Sequence, residues 1–419
     1  VDSPAVSSSA AASGAAPATG DIPDIFPLIG VPDDGLPAEA FAPVRPAYGS
    51  GSLADLLPSL SAVLGVPGTA DVIGIGQHLD GVDRVGVLLV DGLGAYQLGL
   101  ASSHAPVLAD LAAGGGGFAG RLTSGFPSTT PVSLVTLGTG VTPGAHGVLG
   151  FSVRQPDGRV LNHIFWGNDP DPLLWQPVPT RFSTAADAGV AVTVVTRPEF
   201  EGSGLTVSAN RGAVFVGASE GAEVAERMLA ALSAGGPALV YGYFRDLDRA
   251  GHEDGVNAPT WQTAARDVNA VLDRLVHGLP PRSALLVVAD HGQMNIPPAG
   301  HFDMADIPEL REGVAGVAGE PRVRYLYCAD GARDDVMATW RGVFQDRAWV
   351  RTREQVIDEG WFGAVPTEHR DRIGEIVVMC QGRTVALATG WEPPVVASLV
   401  AHHGSVTAAE MTIPLLLAR

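Results

Sequence analysis

Four continuous apolar runs, at residues 85–90 (VGVLLV), 190–195, 238–244 and 284–289, set the fold of this chain. A run without polar alternation buries both faces of a strand, as in a parallel sheet covered by helices on each side. Helical stretches lie between the runs, notably 220–232 and 259–275. The alternation predicts an α/β fold with a mostly parallel central sheet and helices on both faces. Ligands of such sheets bind beyond the carboxyl ends of the strands. The residues that follow each run are therefore the ones to inspect for function.

The remainder of the chain is arranged around that sheet. Residues 1–24 are rich in Ala, Ser, Pro and Gly without an apolar period, and are expected to be a flexible tail. The segment 52–64 (SLADLLPSLSAVL) has a helical period around a proline. Residues 303–388 read as an inserted α+β subdomain, with strands at 323–328 and 375–379 and a helix at 334–344. The α/β domain is then expected over 25–302 and 389–419, closing on a strand at 413–417.

Composition excludes several classes. The formal charge is −19 and the basic residues are all Arg, so a general basic surface for duplex nucleic acid is ruled out. An anionic substrate would need a local cation, which a bound metal supplies. No apolar run reaches the ~18 residues of a membrane-spanning helix. The first residue is Val, which leaves a removed signal peptide open. The Ala-rich, Lys-free composition points to a GC-rich bacterial genome and favours a cytoplasmic location. Cys328 and Cys380 each sit in a strand-like stretch, and are either a pair or two buried thiols. They form neither a disulfide framework nor a Cys-rich metal site.

The strand ends carry the chemistry. The first run ends in Asp91-Gly92, the third is followed by Asp246, Asp248 and His252, and the fourth ends in Asp290-His291-Gly292. His402-His403-Gly404 comes far downstream. Each signal alone is weak, since a strand-end Asp-Gly is more often a turn and Asp248-x-x-x-His252 reads equally as a solvated loop pair. Together they place carboxylates and imidazoles on one sheet edge with no lysine, where a cation is needed between them. Mixed His/Asp ligation suits Zn²⁺ first, then Mn²⁺ or another divalent ion. A hydroxyl candidate lies in Phe126-Pro127-Ser128-Thr129-Thr130-Pro131, between a strand-like stretch and a helix-like one at 132–137. At a helix entrance the dipole and free N–H groups favour an anionic oxygen. A plain Ser/Thr cap is the competing reading.

These residues resemble the alkaline phosphatase superfamily, and within it the nucleotide pyrophosphatase/phosphodiesterase branch with its phosphonoacetate hydrolase relatives. The resemblance rests on Leu89-Val90-Asp91-Gly92; Pro127 to Thr130, with Thr139-Gly140 and His146-Gly147; Asp248-x-x-Gly251-His252; Ala289-Asp290-His291-Gly292; and His403-Gly404. It spans roughly residues 48–419. It implies two zinc ions and a threonine nucleophile. The first ion falls on Asp248, His252 and His403, and the second on Asp91, Asp290, His291 and the nucleophile oxygen. The family's nucleophile lies three residues after a Pro and ten before the Gly of a Thr-Gly pair. Thr130 satisfies both relations, to Pro127 and Gly140, and Thr129 satisfies neither.

The resemblance also has departures. Many members carry a phosphate-holding Asn shortly after the His-Gly pair, where this chain has Phe151, with Asn162 and Asn168 as substitutes on offer. The C/S-x-P-x-R setting of sulfatases is missing. The resemblance implies a metal-dependent phosphodiesterase or nucleotide pyrophosphatase-type hydrolase acting on a small phosphorylated substrate, with nucleotides among the candidates. A phosphomonoesterase, a C–P hydrolase like phosphonoacetate hydrolase, and a metal-binding pseudoenzyme are the other readings. Phe165, Trp166 and Trp175 either stack a nucleobase at the mouth of the site or pack in the core. Gly202-Ser203-Gly204 reads as a turn. Arg121 and Arg154 are near the nucleophile but outside its motif, so diesters are expected to be cleaved faster than monoesters.

Overall fold

A computed structural model of the chain describes residues 26–419; the expected tail at 1–24 lies outside them. Eleven strands are used below: β1 Arg84–Val90, β2 Phe118–Thr123, β3 Ala191–Thr196, β4 Val214–Gly217, β5 Ala238–Phe244, β6 Ser283–Val288, β7 Val314–Glu320, β8 Val323–Cys328, β9 Ala348–Thr352, β10 Ile376–Cys380 and β11 Thr412–Ala418. Among the described residues, seven of them form the main sheet in the order β2-β11-β6-β1-β5-β3-β4. β1 is parallel to both β5 and β6, and β3 is parallel to β4 and β5. β11 runs antiparallel to β6 and β2. The apolar runs of β1 and β6 are buried throughout, as two-faced helix cover requires.

Register decides where the functional residues emerge. Val90 pairs with Phe244 and Leu89 with Val288, so β1, β5 and β6 end level. The next residues, Asp91, Arg245 and Ala289-Asp290, therefore leave the sheet on one edge. The run after β5 continues not into a loop but into a helix, Asp246–Asp254, which corrects the expected loop around Asp248. The segment of the hydroxyl candidates enters a helix, Thr130–Thr139.

A second sheet, antiparallel and four-stranded, is ordered β7-β8-β10-β9. The sequence reading missed β7 because its VAGVAGE has too little apolar bulk to register as a strand. It also missed the half-exposed edge strand β4. In β8 and β10, Val323 faces Met379 and Leu326 faces Ile376. Cys328 and Cys380 thus lie at opposite ends of the pair, and both thiols are free. This sheet docks on the main one through buried ion pairs. Arg322 binds Glu410 with both nitrogens, at 2.8 and 2.7 Å, and neither side chain is exposed. Arg383 does the same to Asp34, at 2.6 and 2.7 Å. No helix among the described residues is long and apolar enough to cross a membrane.

Candidate metal centre and nucleophile

Asp91 leaves β1 at a turn that only glycine can follow. Gly92 has φ +72°, and a side chain on it would meet the Asp248 side chain at 2.9 Å and its Cα at 3.0 Å. The missing side chain lets the β1 turn press against the helix that carries Asp248. On that helix Asp248 and His252 share a face at i,i+4, with Oδ2 and Nε2 3.4 Å apart. His403 Nε2 lies 3.1 Å from His252 Nε2 and 3.9 Å from Asp248 Oδ1. Those three residues can hold one metal ion.

The second group converges on His291 Nε2. Thr130 Oγ1 lies 3.2 Å from it, Asp290 Oδ2 3.3 Å and Asp91 Oδ1 3.5 Å. Asp91, His291 and Asp248 also meet the geometry for one ion, so Asp248 reaches both groups. All the sequence-predicted ligands are thus brought together. Thr130 opens its helix and is slightly exposed, whereas Thr129 is fully buried and its hydroxyl caps nothing. It is Thr130 that faces the imidazole.

The tautomers are fixed from behind. His252 Nδ1 faces Ala401 O at 2.7 Å, His403 Nδ1 faces Ser128 O at 2.9 Å, and His291 Nδ1 faces Gly292 O at 3.2 Å. Donating Nδ1–H to a carbonyl leaves each Nε2 lone pair free for a cation. The carboxylates follow the same rule. Asp290 Oδ1 accepts from the N–H of Gly92 and of His291, and Asp248 Oδ1 from Gln293 at 2.8 Å. Asp91 Oδ2 accepts from the Tyr243 hydroxyl. Asp91 Oδ1 and Asp290 Oδ2 are buried with no hydrogen-bond partner. Two orphaned carboxylate oxygens beside a bare imidazole nitrogen fit a divalent cation, and the mixed O/N set suits zinc or manganese.

Electrostatics agree. Burial, then repulsion from Asp290 and Asp248, pushes the Asp91 carboxyl well above the usual range. Burial also raises Asp248, against the pull of His252 and His291. His403 is held well below an ordinary imidazole by burial and by the facing His291 and His252. Its ring stacks on His291 at 3.6 Å between centroids. The protein alone leaves this cluster uncompensated, and bound positive charge relieves it.

Three contributors escaped sequence reasoning: Tyr243, Gln293 and Glu320. Glu320, at the end of β7, places its carboxylate 3.9 Å from His403 Nδ1 and beside the buried Thr129 hydroxyl, without a well-formed hydrogen bond to it. Nothing in linear spacing links a residue of the second sheet to this site. Tyr243 and Gln293 had a weak signal, being polar atoms next to strand-end ligands.

The other candidates fall out differently. Trp166 and Trp175 are 2% and 7% exposed and pack in a core cluster, so neither is a nucleobase platform. Trp175 Nε1 donates to His163 Nε2 at 3.1 Å and is covered by the Arg372 guanidinium. Phe165 is 82% exposed. Phe151 is half-buried, and its carbonyl accepts from His163 N. Asn162 Oδ1 is taken by the N–H groups of Ile164 and Phe165, and Asn168 is exposed. Arg121 is exposed on β2, and Arg154 lies over the Tyr327 ring. Ser203 caps the helix Gly204–Asn210, a structural task.

Murine ectonucleotide pyrophosphatase/phosphodiesterase 5 superposes with a TM-score of 0.63 at 17% identity, over 80% of this chain and 87% of that one. A structure of an inactive threonine-to-alanine variant of that murine protein, in complex with AMP, gives 0.63 at 16%, over 80% and 88%. Phosphonoacetate hydrolase from Sinorhizobium meliloti 1021, in complex with phosphonoformate, gives 0.59 at 20%, over 81% and 90%. No curated protein matches the chain. The sequence profile described as type I phosphodiesterase / nucleotide pyrophosphatase matches residues 85–406. With that match over most of its length and an alkaline phosphatase-like α/β fold beneath it, the chain belongs to the type I phosphodiesterase / nucleotide pyrophosphatase family, metal-dependent hydrolases of phosphoric ester and phosphoanhydride bonds.

Proposed function

We propose that the protein cleaves phosphodiester or nucleotide pyrophosphate-type bonds, with Thr130 as nucleophile and two zinc ions as cofactors. The observation that carries this is the meeting of Thr130 Oγ1, Asp91 Oδ1 and Asp290 Oδ2 around His291 Nε2, with both carboxylate oxygens lacking a protein partner. Asp248, His252 and His403 would hold one ion; Asp91, Asp290, His291 and the Thr130 oxygen would hold the other. Bound there, the ions supply positive charge that lowers the hydroxyl pKa and neutralises phosphoryl oxygens.

Thr130 Oγ gives up its proton to solvent and attacks phosphorus in line, the bond to the leaving oxygen breaks, that oxygen takes a proton from solvent, and a phosphothreonine forms. Its position at the first turn of Thr130–Thr139 aims backbone N–H groups and the helix dipole at the developing charge. Water then attacks the phosphothreonine, the P–O bond to Thr130 breaks, and the hydroxyl regains its proton. Support for a threonine comes from the murine relative, whose AMP-bound form is an inactive threonine-to-alanine variant. That complex also supports a nucleotide-like substrate.

The diester preference rests on charge. A monoester brings one more anionic oxygen, yet the nearby guanidiniums are engaged elsewhere: Arg154 on Tyr327, Arg322 on Glu410 and Arg324 on Glu392. The test is kcat/KM for a matched aryl monoester and methyl aryl diester, with phosphonoacetate as a third substrate. The diester is expected to lead. A monoester preference of tenfold, about 1.4 kcal/mol of transition-state discrimination, overturns the diesterase reading. Faster turnover of phosphonoacetate replaces it with C–P hydrolysis.

A further inference from the structure

Asp91 shows the centre one oxygen and turns the other away. Oδ1 is buried and free of protein donors, 3.5 Å from His291 Nε2, while Oδ2 accepts from the Tyr243 hydroxyl. Sheet register makes this pairing. β1 and β5 are parallel neighbours with Leu89 beside Tyr243, so a phenol one position back on β5 reaches the carboxylate that ends β1. The ring is steadied from its far side. Phe200 meets it edge-on at 6.3 Å between centroids, and the Arg245 guanidinium lies 5.9 Å over Phe200. The phenol is thus a rigid donor on a rigid strand, suited to fixing a ligand's orientation.

We propose that Tyr243 is a positioning residue for the metal centre: its hydroxyl holds Asp91 in a one-oxygen presentation and so keeps the ligand set open on the side of Thr130. The inference rests on Asp91 being a metal ligand, as argued under the proposed function. The physical reason is coordination number. A carboxylate free to rotate can close on a cation with both oxygens and occupy a position that a catalytic site leaves for substrate. With Oδ2 engaged, that closure costs a charge-assisted hydrogen bond.

The test is zinc affinity of the full-length protein, by competition with a chromophoric chelator, together with the visible spectrum of the cobalt-substituted form. Tyr243→Phe is expected to shift the cobalt bands, as Asp91 becomes free to close with both oxygens, and to bind zinc roughly 10- to 100-fold more weakly, because the ligand is no longer pre-oriented by its outer partner. Phe200→Leu, which disturbs packing but keeps the hydroxyl, is expected to bind within threefold of wild type. If Tyr243 acts through Asp91, then Asp91→Asn combined with Tyr243→Phe binds no more weakly than Asp91→Asn alone. Tyr243→Leu replaces Tyr243→Phe if the latter does not fold, with the same expectation. Wild-type affinity and an unchanged cobalt spectrum in the folded variant overturn the proposal, as does an additive loss in the double variant. Failure of the wild type to bind zinc or cobalt is a distinct result, and removes the metal reading together with this inference.

Discussion

Two regions bury charge in this molecule, and they handle it in opposite ways. Where the second sheet meets the first, Arg322 and Glu410 satisfy each other completely: Glu410 also accepts from Ser405 N and the Thr407 hydroxyl, and Arg322 also donates to the carbonyls of Gly382 and Thr384. At the strand edge, Asp91, Asp248 and Asp290 face one another with no guanidinium or ammonium partner among the described residues, and two of their oxygens lack any donor. A buried charge that is paired and fully hydrogen-bonded fixes structure; one left unpaired is strained until something else binds. The contrast separates a dock from a functional site even though both lie deep in the protein.

The largest expected effect breaks the strand-edge cluster at its cation. Strong chelation should abolish activity and added Zn²⁺ restore it, with elemental analysis confirming that the metal has left. Full turnover by a metal-free preparation would refute the reading of the cluster as incomplete. Next in size is the nucleophile. Thr130→Ala should lose several orders of magnitude in kcat, because no remaining atom can attack phosphorus. Thr129→Ala should lose far less, and its hydroxyl makes no cap bond, so its stability cost should stay under the ~1 kcal/mol of a lost cap. Single-turnover kinetics on both variants measure the difference, and the reverse order would move the nucleophile by one residue.

Stability measurements sharpen the comparison. Arg322→Ala strands Glu410 in the interior and should cost about 3–5 kcal/mol in denaturant unfolding. Asp91→Asn in metal-free protein should do the reverse and stabilise, on the order of 1 kcal/mol, because it removes one of several repelling carboxylates. The sign has a pH signature. Asp91 has a raised pKa in the fold, so its share of stability is full below the ordinary carboxyl pKa and is lost as pH rises through the raised value. The gap between Asp91→Asn and wild type should therefore widen with pH, and close when zinc is added.

A third buried group, His163, carries a pH signature of its own. Its Nδ1 donates to Gly150 O and its Nε2 accepts from Trp175, a neutral arrangement, and burial lowers its pKa to about 4. The depressed pKa gives the opposite sign: its contribution is present above the unfolded value near 6.5 and is lost as pH falls toward 4. The stability advantage of wild type over His163→Gln should shrink by up to ~3 kcal/mol across that interval. A difference that is flat with pH would mean the imidazole is not held neutral.

The central sheet and the candidate ligands at its edge were legible in the sequence because both are local. An unbroken apolar run marks a strand buried on two faces, and the residue after it must leave the sheet at the carboxyl end, where Asp91 and Asp290 emerge. Thr130, which lies against His291, was singled out by the family's spacing to Pro127 and Gly140. Other features depend on contacts between distant segments. Register alone sets Tyr243 against Asp91, and the i,i+4 helix that pairs Asp248 with His252 replaced an expected loop. The second sheet brings Glu320 to within 3.9 Å of His403, across a sequence separation that leaves no periodic trace. For Trp166 and Trp175 the choice between a binding surface and the core stayed open in the sequence, because composition cannot tell a buried aromatic from an exposed one. Chain-local chemistry decides what a strand or helix is made of. Which of its polar atoms go without a partner, and so await a ligand, is decided only when the elements pack together.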